Sequence, residues 1–86
     1  MDPFEIQWRR AALRELRRPD GQVVCRVLEA VTQLADDPFP AGVRKLQGSE
    51  HACRIRIGDY RVIYEVDFDS RQVVVARVRH RRDVYR

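Results

Sequence analysis

The feature that most constrains this chain is a change of hydrophobic period near its middle. In "QVVCRVLEAVTQLADD" (Gln22–Asp37) the apolar residues Val23, Val24, Val27, Leu28, Val31, Leu34 and Ala35 recur at i, i+3, i+4 and i+7. That spacing lines up one broad face of a helix. "PFPAG" (Pro38–Gly42) stops it, because proline lacks the amide donor a helix needs. Beyond this loop the period falls to two. "ACRIRI" (Ala52–Ile57) sets Cys53, Ile55 and Ile57 against Arg54 and Arg56, and "YRVIYEVDF" (Tyr60–Phe68) is rich in aromatic and β-branched residues. Both read as strands. "GD" (Gly58–Asp59) and "DSRQ" (Asp69–Gln72) are turn signals. "VVVARVR" (Val73–Arg79), apolar on both faces at its start, is a central or covered strand.

The N-terminal part adds two elements. "PFEIQW" (Pro3–Trp8) alternates Phe4, Ile6 and Trp8 against Glu5 and Gln7, a short strand. "RRAALRELRR" (Arg9–Arg18) brings Ala12, Leu13 and Leu16 onto one helical stripe, with arginine elsewhere, and "PDG" (Pro19–Gly21) ends it. "VRKLQG" (Val43–Gly48) fits a short edge strand. The order β-α-α-β-β-β predicts an α+β fold, with two N-terminal helices packed on one face of a small antiparallel sheet. At 86 residues, with no repeat or linker, residues 1–86 form a single domain.

Composition narrows the function classes. The longest apolar runs are four or five residues, too short for a membrane span, and no signal peptide is visible. Cys25 and Cys53 lack metal spacing and read as small buried hydrophobes, which fits a cytoplasmic protein. His51 and His80 have no companions at ligand spacing, so neither metal nor cofactor is implied. Glu65, Asp67 and Asp69 alternate, and fit salt bridging or turn formation better than a metal site. Charge is unevenly spread. Residues 1–43 hold six Arg against seven Asp/Glu, whereas residues 44–86 hold eleven Lys/Arg against six. A basic half points to an acidic or polyanionic partner, and also fits a merely soluble surface. Sixteen of the seventeen cations are arginine, whose fork binds phosphate bidentately.

The candidate site follows from the strands. Arg54 and Arg56 share a strand face about 7 Å apart, close to the spacing of successive phosphates, although alternating arginines also suit a solvated face. Arg61 leads the next strand in apolar company. In an antiparallel meander the end of "VVVARVRH" lies beside the start of "YRVIYEV", so Arg61, His80 and Arg81 are expected to converge, with Arg82 and Tyr85 following at once. Histidine can move protons near neutral pH, arginine can neutralise phosphate charge, and tyrosine can stack on a base. Such a set suits RNA cleavage by attack of a 2′-OH on the adjacent phosphate. Lys45 and Arg82 complete the expected RNA-binding cations with Arg54 and Arg56.

"LADDPFPAGVRKLQG", "CRIRIGDYRVIYEV" and "VVVARVRHRRDVYR" together resemble the RelE branch of the RelE/ParE toxin superfamily, over essentially the whole chain. The resemblance implies a toxin of a type II toxin–antitoxin pair, cutting mRNA in the ribosomal A site. It also implies a hetero-oligomer with a cognate antitoxin, whose acidic, amphipathic segment would cover the basic sheet face or the helices. Carried over by residue, Arg61 contacts the scissile phosphate, Arg81 is the basic residue after the last strand, and Tyr85 orients the RNA base. Arg54 and Arg56 match a basic pair that in the family pattern carries lysines, one of them a candidate general base. A guanidinium cannot accept a proton, so that role passes to His80, with Tyr85 second. The family leaves two alternatives, a ParE-like toxin that poisons DNA gyrase by binding, and a non-catalytic homologue that only binds antitoxin. The chain is expected to stop right after Tyr85, without the C-terminal helix that some relatives have.

Overall fold

The computed structural model describes residues 3–46, 48 and 51–84. Five strands form one sheet: β1 (Glu5–Trp8), β2 (Arg44–Lys45), β3 (Ala52–Ile57), β4 (Tyr60–Asp67) and β5 (Gln72–His80). Helices α1 (Arg10–Glu15) and α2 (Gly21–Leu34) lie between β1 and β2, and a single turn, α3 (Arg81–Val84), follows β5. Strand order is β1-β5-β4-β3-β2. The three contacts from β2 to β5 are antiparallel, while β1 runs parallel to β5. The expected α+β order thus holds, with two differences. The sheet is mixed rather than wholly antiparallel, because the helices carry the chain from β1 to β2 at the opposite edge and the meander then returns β5 beside β1. A single helical turn, α3, also stands between β5 and the C-terminal tyrosine, where the sequence pattern marked no element.

Helix α2 begins where Asp20 accepts a hydrogen bond from Val23 N–H at 3.1 Å, so "PDG" caps the second helix as well as ending the first. Its inner stripe, Val27, Val31 and Leu34, is buried on Cys53, Ile55 and Ile57 of β3, Val62, Tyr64 and Val66 of β4, and Val73, Val75 and Val78 of β5. Tyr64 is fully buried, and its hydroxyl donates to the Pro38 carbonyl at 2.6 Å, pinning the loop after α2 to the sheet. Burial pushes its ionisation well above the ordinary phenol range. Cys53 is buried as expected, but Cys25 is exposed, because it lies off the inner stripe of α2.

Helix α1 departs from its sequence reading. Ala12 is fully buried, yet Leu13 is 49% exposed. The inner position is taken by Glu15. Arg77 Nε and Nη2 donate to its two carboxylate oxygens at 3.0 and 2.8 Å, and Val78 N–H donates to Oε1 at 3.0 Å. β1 pairs β5 only as far as Val75. Glu15 therefore supplies the acceptor that Val78 would otherwise lack on that edge. No helix among the described residues is long and apolar enough to cross a membrane.

Candidate functional site

Which side chains meet on the open face of the sheet is decided by one residue. The β4–β5 register pairs Tyr64 with Val75 but Ile63 with Arg77, leaving Ala76 as a bulge. An extra residue turns every later side chain to the other face. Val73, Val75 and Val78 all reach the core for this reason, although 75 and 78 are three apart. Arg77 and Arg79 consequently face away from α2. His80, which strict alternation from Val73 would put on the open face, turns to the core side instead, opposite Tyr60.

The open face carries a row of arginines across three strands. Arg56 is directly opposite Arg61, and Arg61 directly opposite Arg79. Neighbouring strands are about 4.8 Å apart, so like charges stand at a separation that destabilises a sheet. Arg54 and, on the edge strand, Arg44 extend the cluster. The hairpin beneath is tight: Gly58 has φ +59, which an L side chain rarely adopts, and Arg56 Nε donates to its carbonyl at 3.0 Å. Two hollows open on this row. One of about 130 Å³ is lined by Gly42, Arg44, Arg54, Arg56 and Arg61, with the Ile55 backbone strand between them. The other, about 160 Å³, is lined by Arg56, Gly58, Asp59, Arg61 and Arg81. Arg81 N–H donates to the Asp59 carbonyl at 2.7 Å, and its guanidinium stands 3.8 Å from the Asp59 carboxylate.

The expected residues are thus only partly brought together. Arg54, Arg56, Arg61 and Arg81 line these hollows. His80 does not converge with Arg61. Its ring packs edge-on against Tyr60, centroids 5.0 Å apart, and its Nδ1 accepts the Arg82 N–H at 3.1 Å. With Nδ1 accepting, a neutral ring carries its proton on Nε2. Lys45 is paired with Cys53, whose side chain faces the core, and lines neither hollow; Arg44, paired with Arg54, stands where Lys45 was expected. Arg82 is exposed on α3 and lines neither hollow. Tyr85 lies outside the described residues. Besides Arg44, the sequence reading missed Arg79. Its signal was present in "ARVRH", but only the bulge assigns it to the face of Arg61.

Arg77 shares that face and does a different job. Burial alone would raise the Glu15 carboxyl. The hydrogen bonds from Arg77 and Val78, with the attraction of Arg77 and Arg79, outweigh it and hold Glu15 below its ordinary range. At the opposite end of the face, Glu65 pairs with Arg9 at 3.2 Å, and Asp67 accepts the backbone N–H groups of Asp69 and Ser70 at 3.0 and 3.2 Å. Of the alternating acids, Glu65 is therefore half of an ion pair and Asp67 a turn cap.

A helix-backed sheet of this order with a cationic open end defines a class of small toxin domains, and the comparisons place the chain within it. Residues 6–85 match the family described as the ParE toxin of type II toxin–antitoxin systems, and the chain belongs to this RelE/ParE toxin superfamily. It is 33% identical to the toxin RelG of Mycobacterium tuberculosis over 88 residues, 98% of each chain. Its fold superposes on the toxin of the archaeal RelE–RelB complex from Pyrococcus horikoshii with a TM-score of 0.82 at 26% identity, covering 92% of this chain and 96% of that one. The toxin–antitoxin complex RelBE2 of M. tuberculosis gives 0.78 at 26% identity, covering 91% and 98%.

Proposed function

We propose that this chain is the toxin of a type II toxin–antitoxin pair and acts as a ribosome-dependent endoribonuclease on mRNA in the A site. The observation that carries this reading is the arginine row Arg56–Arg61–Arg79, flanked by Arg54 and Arg81 and opening into two hollows. Guanidiniums on neighbouring strands repel one another, and a phosphate relieves that repulsion by accepting bidentate bonds from more than one of them. In the reaction a 2′-oxygen attacks the neighbouring phosphorus and the bond to the 5′-oxygen breaks. The products are a 2′,3′-cyclic phosphate and a 5′-hydroxyl. The row neutralises the charge that builds on the non-bridging oxygens. One proton must leave the 2′-OH and one must reach the departing 5′-oxygen. His80 is the proposed proton carrier: once bound RNA displaces the Arg82 N–H from Nδ1, the ring holds its own proton there, takes the 2′-OH proton on Nε2 and passes it to the departing 5′-oxygen, with Tyr85 positioning the base. Because His80 starts on the far face, this role requires the RNA to pass over the sheet end.

Primer extension on ribosome-bound mRNA tests the assignment in two parts. Arg61→Gln is expected to slow cutting by about 10²–10³-fold, and the His80→Ala/Tyr85→Ala double variant by about 10² or more. Full-rate cutting by the double variant would remove proton transfer from these residues and leave the row intact. A cognate antitoxin with an acidic, amphipathic segment is the proposed partner, docking across the basic face. Its affinity should fall with salt and with charge reversal at Arg54 and Arg56.

The ParE family match favours a second reading, gyrase poisoning by binding. Accumulation of cleaved plasmid DNA with purified gyrase, while mRNA stays intact, would select it.

A further inference from the structure

We infer that Glu15 is a positioning residue for the proposed cleavage: by bonding the Val78 N–H it stands in for a missing strand and holds the far end of β5, so that Arg79 lies in the arginine row. The role in cutting rests on the proposed function; the anchoring itself rests on the following geometry.

The first strand supports β5 for only part of its length. β1 pairs as far as Trp8 with Val75, and Arg9 N–H donates to the Val75 carbonyl at 2.9 Å. The chain then leaves the sheet for α1. Among the described residues, β5 beyond Val75 therefore has a strand on its β4 side alone. That stretch holds the bulge at Ala76 and then Arg77, Val78, Arg79 and His80. It is also where Arg79 stands opposite Arg61, itself opposite Arg56. Like charges on neighbouring strands push β5 away from β4 there, and a two-stranded end without a third neighbour is marginal.

Glu15 closes the gap. Ala12 is fully buried and seats α1 on the core, and Glu15, at i+3, shares its face. Its Oε1 accepts from Val78 N–H at 3.0 Å, a bond that a longer β1 would otherwise make. The Glu15 side chain is 13% exposed, against 43% for Glu65 and 61% for Asp59. So covered a carboxylate is costly unless it is bonded. Arg77 Nε and Nη2 hold its two oxygens at 3.0 and 2.8 Å, which keeps Oε1 aimed at β5. Arg79 follows Val78 directly, so the anchor on one fixes the place of the other. A displacement of about 1 Å at a reacting centre can cost about 10²-fold in rate.

The test compares Glu15→Gln with Glu15→Met in the full chain. Both side chains have nearly the shape of glutamate, but only glutamine keeps an oxygen for the Val78 N–H. Cutting of ribosome-bound mRNA is followed over a range of ribosome concentrations, at a temperature where circular dichroism shows both variants folded. Glu15→Met should lower kcat about 10- to 100-fold and leave KM within about threefold, because the loss falls on the transition state. Glu15→Gln should cut within a few-fold of the unaltered chain although it has lost the charge. Glu15→Asp keeps the charge on a stem too short to reach Val78, and should be as slow as Glu15→Met. In an Arg79→Gln background Glu15→Met should add less than about threefold, since its effect passes through Arg79. Amide exchange at Arg79 should quicken about tenfold in Glu15→Met and stay unchanged in Glu15→Gln.

Full-rate cutting by Glu15→Met and Glu15→Asp overturns the inference. So does an equal loss in Glu15→Gln, which would make the charge rather than the bond to β5 the cause. Losses that multiply with Arg79→Gln overturn it too, because Glu15 would then act elsewhere. The proposed function fails separately. If the unaltered chain leaves ribosome-bound mRNA uncut, the cleavage reading falls, and exchange at Arg79 decides the anchoring, which falls if Glu15→Gln and Glu15→Met behave alike. If the unaltered chain cuts and Glu15→Met cuts as fast, cleavage stands and the positioning role falls.

Discussion

The two ends of the open sheet face are chemical opposites. Around the β3–β4 hairpin stand Arg54, Arg56, Arg61 and Arg81, with Arg79 opposite Arg61 on the next strand, and Asp59 is the one carboxylate among the described residues that lines either hollow. About 13–20 Å along β4 the face becomes acidic, where Glu65, Asp67 and Asp69 share a cavity of about 560 Å³ with Arg9, His51 and Phe68. Phe68 is 55% exposed there and meets Phe4 edge-on and Phe39 in a stack, each with centroids 5.9 Å apart. Glu65 is paired and Asp67 caps a turn, while the arginines of the row face one another. The acidic end thus meets cations and backbone donors, while the basic end sets like charges opposite one another on neighbouring strands. A polyanion is drawn to one end and repelled from the other, which fixes where along the sheet a phosphate can sit.

The strongest way to break this contrast is to neutralise the row. Arg79→Gln, like Arg61→Gln, should cost about 10²–10³-fold in cutting of ribosome-bound mRNA, although it leaves Arg77 unchanged two residues away on the same face. Arg77→Gln should instead lower the melting temperature and leave the chemical step within a few-fold. If the two β5 arginines behave alike in both assays, the division between a substrate-facing and a structural arginine is wrong.

The contrast can also be erased from the other side. Glu65→Lys/Asp69→Lys makes the acidic end basic. RNA affinity should rise about tenfold at low salt, with a slope steeper by roughly 1–2. Cutting should become no faster, because the added charges are far from the row. Unchanged affinity, measured by filter binding over a salt series, would mean that the acidic end plays no part in confining the ligand.

Most of the architecture could be read from the sequence, because it rests on periods that a small core enforces. The β3 boundaries came from five alternating residues, and α2 from a stripe three turns long. What could not be read depends on tertiary choices. In "VVVARVRH" the first four residues are apolar on both faces, so nothing in the pattern marks Ala76 as the extra one. Yet that bulge decides that Arg79 joins Arg61 and that His80 leaves it. Leu13 and Glu15 were exchanged for a similar reason: α1 is barely two turns long, and an unpaired strand N–H favoured a carboxylate over a leucine. The choice between Arg44 and Lys45 turned on a register offset of one residue in a two-residue strand. Parallel pairing of β1 with β5 leaves no local signature, since either direction of pairing gives the same alternation.

The smallest predicted effect concerns the Glu15 clamp, which separates Arg77 from the row. Its folded carboxyl is held below the ordinary value of 4.5, chiefly because the bonds from Arg77 and Val78 outweigh the cost of burial. A depressed folded value stabilises the native state above the unfolded value, and that contribution is lost as pH falls through the folded one. Stability should therefore be flat on this account from neutrality to about pH 4.5 and decline below it. Glu15→Gln keeps an oxygen for Val78 N–H but removes the charge, and should cost about 1 kcal/mol at pH 7. The difference between the two proteins in chemical denaturation should vanish at acid pH, where Glu15 is itself neutral. A gap that persists to pH 2 would show that packing rather than charge distinguishes them, and that Arg77 is held by shape. The clamp would then have no electrostatic part in keeping Arg77 out of the row.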